Sequence, residues 1–406
     1  MATILLVGTL DTKGTEFAFV RDLIVERGHQ TIVMDAGISA EPLFSPDITA
    51  TAVAEAGGAT LTALREAQDR GAAISAMSEG AAKLTVQLYE AGRIDGILSL
   101  GGSGGTSVGS AAMQALPVGF PKVMVSTLAS GDISPYVGVK DLMMMYSVVD
   151  VAGLNRISRR VFANASGAIC GMVEQPVPES EDKPIVAATM FGVTTPCVTS
   201  VRQALEKHGY EVLVFHATGS GGRAMEGLIE DGYVRAVADI TTTEWCDELV
   251  GGVLSAGPTR LDAAAKVGVP QVVSAGALDM VNFGGIETVP AAFKDRTLYK
   301  HNDQVTLMRT TPEECASLGK IIANKLNQVT GPAAFFIPLK GVSMIDAEGQ
   351  PFYSPEADEA LFGALRDGLD RDKVTLIELD MHINDPEFAA SMAAHLLEML
   401  QNQIPE

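Results

Sequence analysis

The chain repeats itself, and this limits what it can fold into more than any other feature. The stretch GTLDTKGTEFAFVRDLIVERGHQTIVMDAG, from Gly8, is echoed by GVTTPCVTSVRQALEKHGYEVLVFHATG, from Gly192. Aligning Gly28 on Gly209 lays Val20-Arg21 over Val201-Arg202, and the apolar run before Ala36 over the run before Ala217. Further on, GILSLG from Gly96 answers GVLSAG from Gly252, and VGFPKVMVS from Val118 answers VGVPQVVSAG from Val267. Short β-rich runs alternating with helical periodicity imply parallel strands joined by right-handed crossovers. The expected fold is α/β: two tandem Rossmann-like parallel-sheet domains related by internal duplication and facing a central cleft. Ligands of open α/β sheets bind beyond the carboxyl ends of the strands, so function is sought in the turns that follow them.

In the first half, residues 3–7, 31–34, 96–100 and 122–126 read as strands, and residues 15–26, 58–70 and 75–91 as helices. EQPVPESEDKP, from Glu174, is rich in proline and acid and has no periodicity. It reads as a linker, giving domains over residues 1–178 and 179–406. Strands are expected next at 185–189, 212–216, 252–255, 271–274, 333–338 and 374–380. Helices are expected at 199–207, 312–327, 355–369 and 386–400, the last three opened by proline. The C-terminal domain should therefore carry extra strand–helix units.

With 29 basic against 50 acidic side chains the formal charge is −21. Such a surface repels nucleic-acid phosphates and anionic lipid, so neither nucleic acid nor membrane is an expected partner. A local basic pocket can still hold a small anion. The opening MATILLVGTLD lacks the basic flank and cleavage site of a signal peptide, and no apolar run reaches the roughly 18–20 residues of a membrane span. Cys170, Cys197, Cys246 and Cys315 are far apart, as reduced core thiols are, which points to a cytoplasmic location. The six histidines show no metal-ligand spacing.

Three glycine turns carry the candidate chemistry. In GTLDTKG, Gly8 permits a tight turn and Lys13 puts a cation near the next helix start. The pattern departs from the strict phosphate loop because Thr12 precedes Lys13, and an ordinary turn capped by Asp11 or Thr12 is the alternative. In LGGSGGTSVG, the glycines around Ser103 let backbone N–H groups approach an anion, and Thr106 or Ser107 is placed to cap a helix whose positive N-terminus favours phosphate. Gly101–Gly105 also fits G-x-S-x-G with Ser103 as nucleophile, which would make the chain a hydrolase; a plain tight turn is the third reading. In HATGSGGRAME, Gly219, Gly221 and Ala224 fit G-x-G-x-x-A, with Asp239 about where a ribose-binding acid belongs. That keeps an NAD-dependent oxidoreductase open, although the turn follows the second strand of its domain. Arg223 is either a phosphate or carboxylate clamp or a solvated surface residue.

GTLDTKG, LGGSGGTSV, FHATGSGGRAMEGLI, GGVLSAGPTRL, SAGALDMVNFG and IPLKGVSMID, taken together, resemble the Tm-one-like ATP-binding family. That family comprises the N-terminal region of the tomato mosaic virus resistance protein and free-standing bacterial proteins. The resemblance spans essentially the whole chain and implies two Rossmann-like subdomains that bind ATP, and a homodimer. Carried onto this sequence, ATP binding falls on Thr9, Asp11, Thr12 and Lys13; on Gly101, Gly102, Ser103, Gly104, Gly105 and Thr106; and on Gly219, Ser220, Gly221, Gly222 and Arg223. Asp35, ending the second strand, is a candidate for the ribose hydroxyls or a turn cap. Asp11 is the candidate for orienting Mg2+ through water, and Asp11 and Lys13 are the catalytic candidates. The expected function is ATP binding, by an ATP-dependent enzyme acting on a small acidic metabolite. A non-catalytic nucleotide sensor that closes on ATP and the NAD-dependent oxidoreductase are its alternatives.

Overall fold

The run Thr3–Gly8 (β1) is buried along almost its whole length, as a parallel strand covered by helices on both faces must be. Leu5 and Val7 point to one apolar layer and Ile4 and Leu6 to the other, following the two-residue period of a strand. The computed structural model of the protein describes residues 1–178 and 180–402, and the chain divides into units Met1–Glu179 and Ser180–Glu406.

In the first unit β1 is joined by β2 (Gln30–Asp35), β3 (Gly96–Gly101), β4 (Lys122–Ser126) and β5 (Met143–Tyr146). All pair in parallel, in the order β2-β1-β3-β4-β5. Its helices are α1 (Leu10–Glu26), α2 (Ala50–Ala56), α3 (Leu61–Ala67), α4 (Arg70–Glu90), α5 (Ser103–Gln114), α6 (Ser134–Val137) and α7 (Arg156–Glu174). Phe17 and Val20 of α1 and Phe162 and Ile169 of α7 cover one face of the sheet. Val53 of α2, Met77 of α4 and Ala112 of α5 cover the other.

The strands of the second unit are β6 (Ile185–Met190), β7 (Glu211–His216), β8 (Val234–Thr241), β9 (Gln271–Gly276), β10 (Met280–Phe283), β11 (Leu298–Asn302), β12 (Val305–Arg309), β13 (Ala333–Pro338) and β14 (Val374–Leu379). Its helices are α8 (Thr195–Lys207), α9 (Ser220–Glu230), α10 (Glu244–Val250), α11 (Asp262–Val267), α12 (Pro312–Leu326), α13 (Pro355–Gly368) and α14 (Pro386–Gln401). Six strands form a parallel sheet in the order β14-β13-β9-β8-β6-β7. Read from β7, its first five positions reproduce the winding of the first unit. The protein is thus a pair of Rossmann-like α/β domains, and β14 with α14 is the extra strand–helix unit. A small antiparallel sheet, β10-β12-β11, is inserted before α12, where no strands were expected.

Several elements differ from the sequence expectation. GVLSAG forms no strand: the Gly252 N–H goes to the Asp247 carbonyl, that of Val253 to the Asn282 carbonyl, and that of Leu254 to the Asp247 carboxylate. The third sheet position belongs to β8, whose Asp239 interrupts the apolar run but is neutralised by Arg260. The first helix begins at Leu10, ahead of Thr15, with Lys13 off helical geometry (φ −126°, ψ 15°). The expected helix over 58–70 is α3 and the start of α4, parted by Gln68 in left-handed geometry (φ 51°).

The second core holds more carboxylates than its cations neutralise. The Arg309 Nη2 donates to Asp358 Oδ1 at 2.6 Å and to Asp346 Oδ1 at 3.3 Å. Asp279, fully buried, accepts from the Ser343 hydroxyl at 2.7 Å through Oδ2, and its Oδ1 has no partner among the described residues. Burial first, then repulsion from Asp279 and Asp358, pushes the Asp346 carboxyl up to about 9, Arg309 opposing. Burial likewise lifts Asp279 and Asp247 to about 6. Carboxyls raised above their unfolded value of about 4 stabilise the fold in their protonated form, and that contribution is lost as pH rises through the folded pKa. Melting temperature should therefore fall from about pH 4 to about pH 9, with the part above about pH 6 due to Asp346. Asp346→Asn should flatten the upper part of that fall. Identical profiles for the two proteins across this range would contradict the assignment.

Candidate functional site

In the order β2-β1-β3-β4-β5 the connections leave β1 and β3 in opposite directions, and the turns beyond these strands part to leave a crevice. A cavity of about 890 Å³ opens there. The turn after β1 contributes Thr9, Asp11, Thr12 and Lys13 to it, and the turn after β3 contributes Gly101, Gly102, Ser103, Gly104 and Gly105. Leu64, Ile74 and Met77 supply an apolar wall.

Two helices start at this cavity without a cap from the side chain of their own N-cap residue: α1 after Thr9, where Asp35 takes the Leu10 N–H, and α5 after Gly102. In α1 the Thr12 N–H turns back to the Thr9 carbonyl at 3.2 Å, while the first-turn N–H groups of α5 have no acceptor within their helix; both helix starts carry partial positive charge. None of Gly101, Gly102, Gly104 or Gly105 has positive φ, so these glycines serve closeness rather than left-handed geometry. A Cβ on Gly101 would lie 2.9 Å from the Gly105 Cα. The capping expected of Thr106 and Ser107 is absent. The Thr106 hydroxyl is buried against that of Ser126 at 2.7 Å, and Ser107 donates to the Ser103 carbonyl at 3.0 Å.

Lys13 and Arg70 both line the cavity, and among the described residues neither makes an ion pair. Arg70 was missed by the sequence reading, which placed it at the end of a helix. It opens α4, where the helix dipole disfavours a cation, and its Nη2 lies 3.8 Å from where a Gly104 Cβ would stand. Asp69 beside it is engaged in capping α4, accepting from the Gly71 and Ala72 N–H groups at 2.9 and 3.0 Å.

Asp11 reaches the 37–40 loop. Its Oδ2 accepts from the N–H groups of Ser39 and Ala40 at 2.8 and 3.3 Å, while its Oδ1 has no partner among the described residues. Asp35 is buried outside the cavity lining. Its Oδ1 accepts from the Leu10 and Gly37 N–H groups, both at 2.9 Å, and so ties the turn after β1 to the turn after β2. Burial raises its carboxyl, those two bonds opposing. No histidine lines the cavity, so Ser103 has no imidazole partner of the kind that activates a serine nucleophile.

The third glycine turn is built differently. Gly219 (φ 82°) precedes α9, and the N–H groups of Gly219 and Gly222 donate to Glu244 Oε1 at 2.7 and 3.1 Å. A Cβ on Gly222 would fall 2.2 Å from Glu244 Oε2. Glu244 is buried and accepts from Arg260 Nε at 2.7 Å. Arg260 in turn forks onto Asp239 at 2.5 and 2.6 Å and reaches Glu226 at 3.2 Å. The positive start of α9 thus faces a carboxylate of the protein itself. Asp239, which also accepts from the Thr189 hydroxyl, has both oxygens committed. Ser220 and Arg223 are exposed, and none of Gly219, Ser220, Gly221, Gly222 and Arg223 lines the cavity of the first unit.

A second cavity, of about 990 Å³, lies beyond β13 and β14. Its His382 is fully engaged: Nε2 faces the Ser343 carbonyl at 2.8 Å, and Nδ1 accepts from the Asn384 N–H at 3.1 Å. Among the described residues no group of three His, Cys, Asp or Glu is placed to hold a metal, and no helix is long and apolar enough to cross a membrane.

Residues 2–178 match the N-terminal domain of uncharacterised protein family UPF0261, and residues 183–400 match its C-terminal domain. A UPF0261 protein of Clostridium tetani is 56% identical over 98% of this chain and 99% of its own. The tomato mosaic virus resistance protein Tm-1 of Solanum lycopersicum is 45% identical over 81% of this chain and 45% of its own length. Among solved structures, a putative UDP-N-acetylglucosamine 2-epimerase from Listeria monocytogenes shares 10% identity over 67% of this chain and 78% of its own, with a TM-score of 0.23. With one domain model matching each half, the chain belongs to family UPF0261.

Proposed function

We propose that the first unit is an ATP-binding domain and that its cavity holds the triphosphate with Mg2+. One observation carries this reading: two helix starts, that of α5 uncapped, and two cations without an ion pair among the described residues, Lys13 and Arg70, converge on one cavity at the β1/β3 crevice. Backbone N–H groups at a helix start, backed by a cation, form the arrangement that binds phosphate across α/β folds. The partnerless Asp11 Oδ1 suits an ion that takes one or two carboxylates together with phosphate oxygens. Mg2+ there would neutralise charge on a transferring phosphoryl group, and Lys13 is positioned to share that role. In the enzyme reading a small acidic metabolite is the acceptor. A nucleotide sensor is the second reading; ATP consumption in the presence of candidate acids separates the two.

ATP with Mg2+ should raise the melting temperature, by about 2.7 kcal/mol of added stability at a hundredfold excess over Kd. No shift with millimolar nucleotide would defeat the reading. Lys13→Ala and Arg70→Ala should each weaken ATP binding by about 1.5–3 kcal/mol, the worth of a charge-assisted contact, with little effect on unfolding. Ser103→Ala should bind ATP nearly as well as the parent, while Gly104→Val should not, because it puts a branched side chain among the N–H groups of α5 and against Ile74. Titration calorimetry checks both pairs, and a Ser103→Ala protein that had lost binding would overturn the backbone cradle.

A further inference from the structure

We propose that Arg65 reads the terminal phosphate of the nucleotide, carried onto it by α3 acting as a hinged cover. The inference rests on the ATP-binding reading and adds to it the residue that distinguishes ATP from ADP. Helix α3 has seven residues and none of them is buried. Only Leu61 and Leu64 touch the apolar layer beneath. One end is joined through Gly58 (φ 79°), where a Cβ would meet nothing within 4 Å, and the other through Gln68 in left-handed geometry. A short helix with no buried face and a loose joint at each end is held by little besides its polar contacts.

Those contacts are mostly Arg65's. Its Nε donates to the Ile38 carbonyl at 2.7 Å and its Nη2 to the Ala40 carbonyl at 3.4 Å. Its nearest carboxylate, Glu41, is 3.8 Å away on a side chain that is 89% exposed. Backbone carbonyls satisfy a guanidinium's donors without neutralising its charge, and an exposed pair at that distance contributes little. A phosphate oxygen offers both charge and two-pronged geometry. Arg65 lines the same cavity as Lys13 and the α5 start, so a phosphate held there faces the helix that carries it. The loop it grips is also gripped by Asp11, through the N–H groups of Ser39 and Ala40. Release of the loop by Arg65 therefore acts on the carboxylate proposed to face Mg2+.

The test compares ATP and ADP, each with Mg2+, on the whole protein and on Arg65→Ala and Arg65→Gln. Gln keeps a donor for the Ile38 carbonyl but lacks the charge. Both variants should lose at least tenfold in ATP affinity and less than threefold in ADP affinity. Hydrogen exchange across residues 58–69 should slow with ATP in the parent, and should not slow with ADP or in either variant. Equal losses for ATP and ADP, an Arg65→Gln protein with full ATP affinity, or exchange indifferent to ATP would each overturn the role of Arg65 while leaving ATP binding intact. A parent protein that bound neither nucleotide would instead remove the reading beneath it.

Discussion

Every helix that follows a parallel strand begins with N–H groups that its own backbone cannot satisfy, and how each unit answers that demand organises the rest of its polar structure. In the second unit the start of α9 is answered by Glu244. A buried carboxylate is expensive unless paired, so Glu244 brings Arg260 with it, and Arg260 brings Asp239 and Glu226. Asp239 then binds the Thr189 hydroxyl, which also accepts the Thr241 N–H, and so ties together the ends of β6 and β8. In the first unit Asp35 takes only the first N–H of α1, that of Leu10, and the start of α5 receives no carboxylate among the described residues. Both starts are left beside cations. The same winding has produced an internally plugged crevice in one half and an open one in the other.

The open crevice depends on small residues at a few close approaches. A Cβ on Gly8 would fall 1.9 Å from the Phe17 Cζ, so glycine there lets α1 lie flat on β1 and begin at the strand's end. Gly37 faces Asp11 Oδ1, where a Cβ would stand 2.5 Å away. Asp35 then fixes the spacing of these two turns by bonding the N–H groups of Leu10 and Gly37. These contacts are structural, yet together they set the place and direction of the α1 start, and through it of Lys13 and Asp11.

Much of this was legible in the sequence because strand burial and strand order leave periodic marks. The echoes from Gly8 and Val118 correspond to β1 with β6 and to β4 with β9, equivalent positions in the two sheets. The echo from Gly252 misled because apolar–glycine runs mark loops packed against a core as readily as strands. The β8 strand was hidden by Arg235 and Asp239, whose charges break the apolar run, and the partner of Asp239 lies more than twenty residues on. Arg70 was hidden by helical periodicity running through Gln68, a non-glycine residue at φ 51° that no composition rule flags. Glu244 was invisible for a deeper reason: nothing local to HATGSGGRAME shows that its N–H groups are already taken by a side chain beyond the next strand.

The most direct test of the open-versus-plugged account is a structure of the protein with Mg2+ and a non-hydrolysable ATP analogue. The account predicts phosphate oxygens within hydrogen-bond distance of the N–H groups of Gly104 and Gly105, with Lys13 and Arg70 on the same phosphates, and Glu244 still bound to Gly219 and Gly222. Phosphates seated on the α9 start with Glu244 displaced, or density for the analogue anywhere but the crevice between β1 and β3, would contradict it.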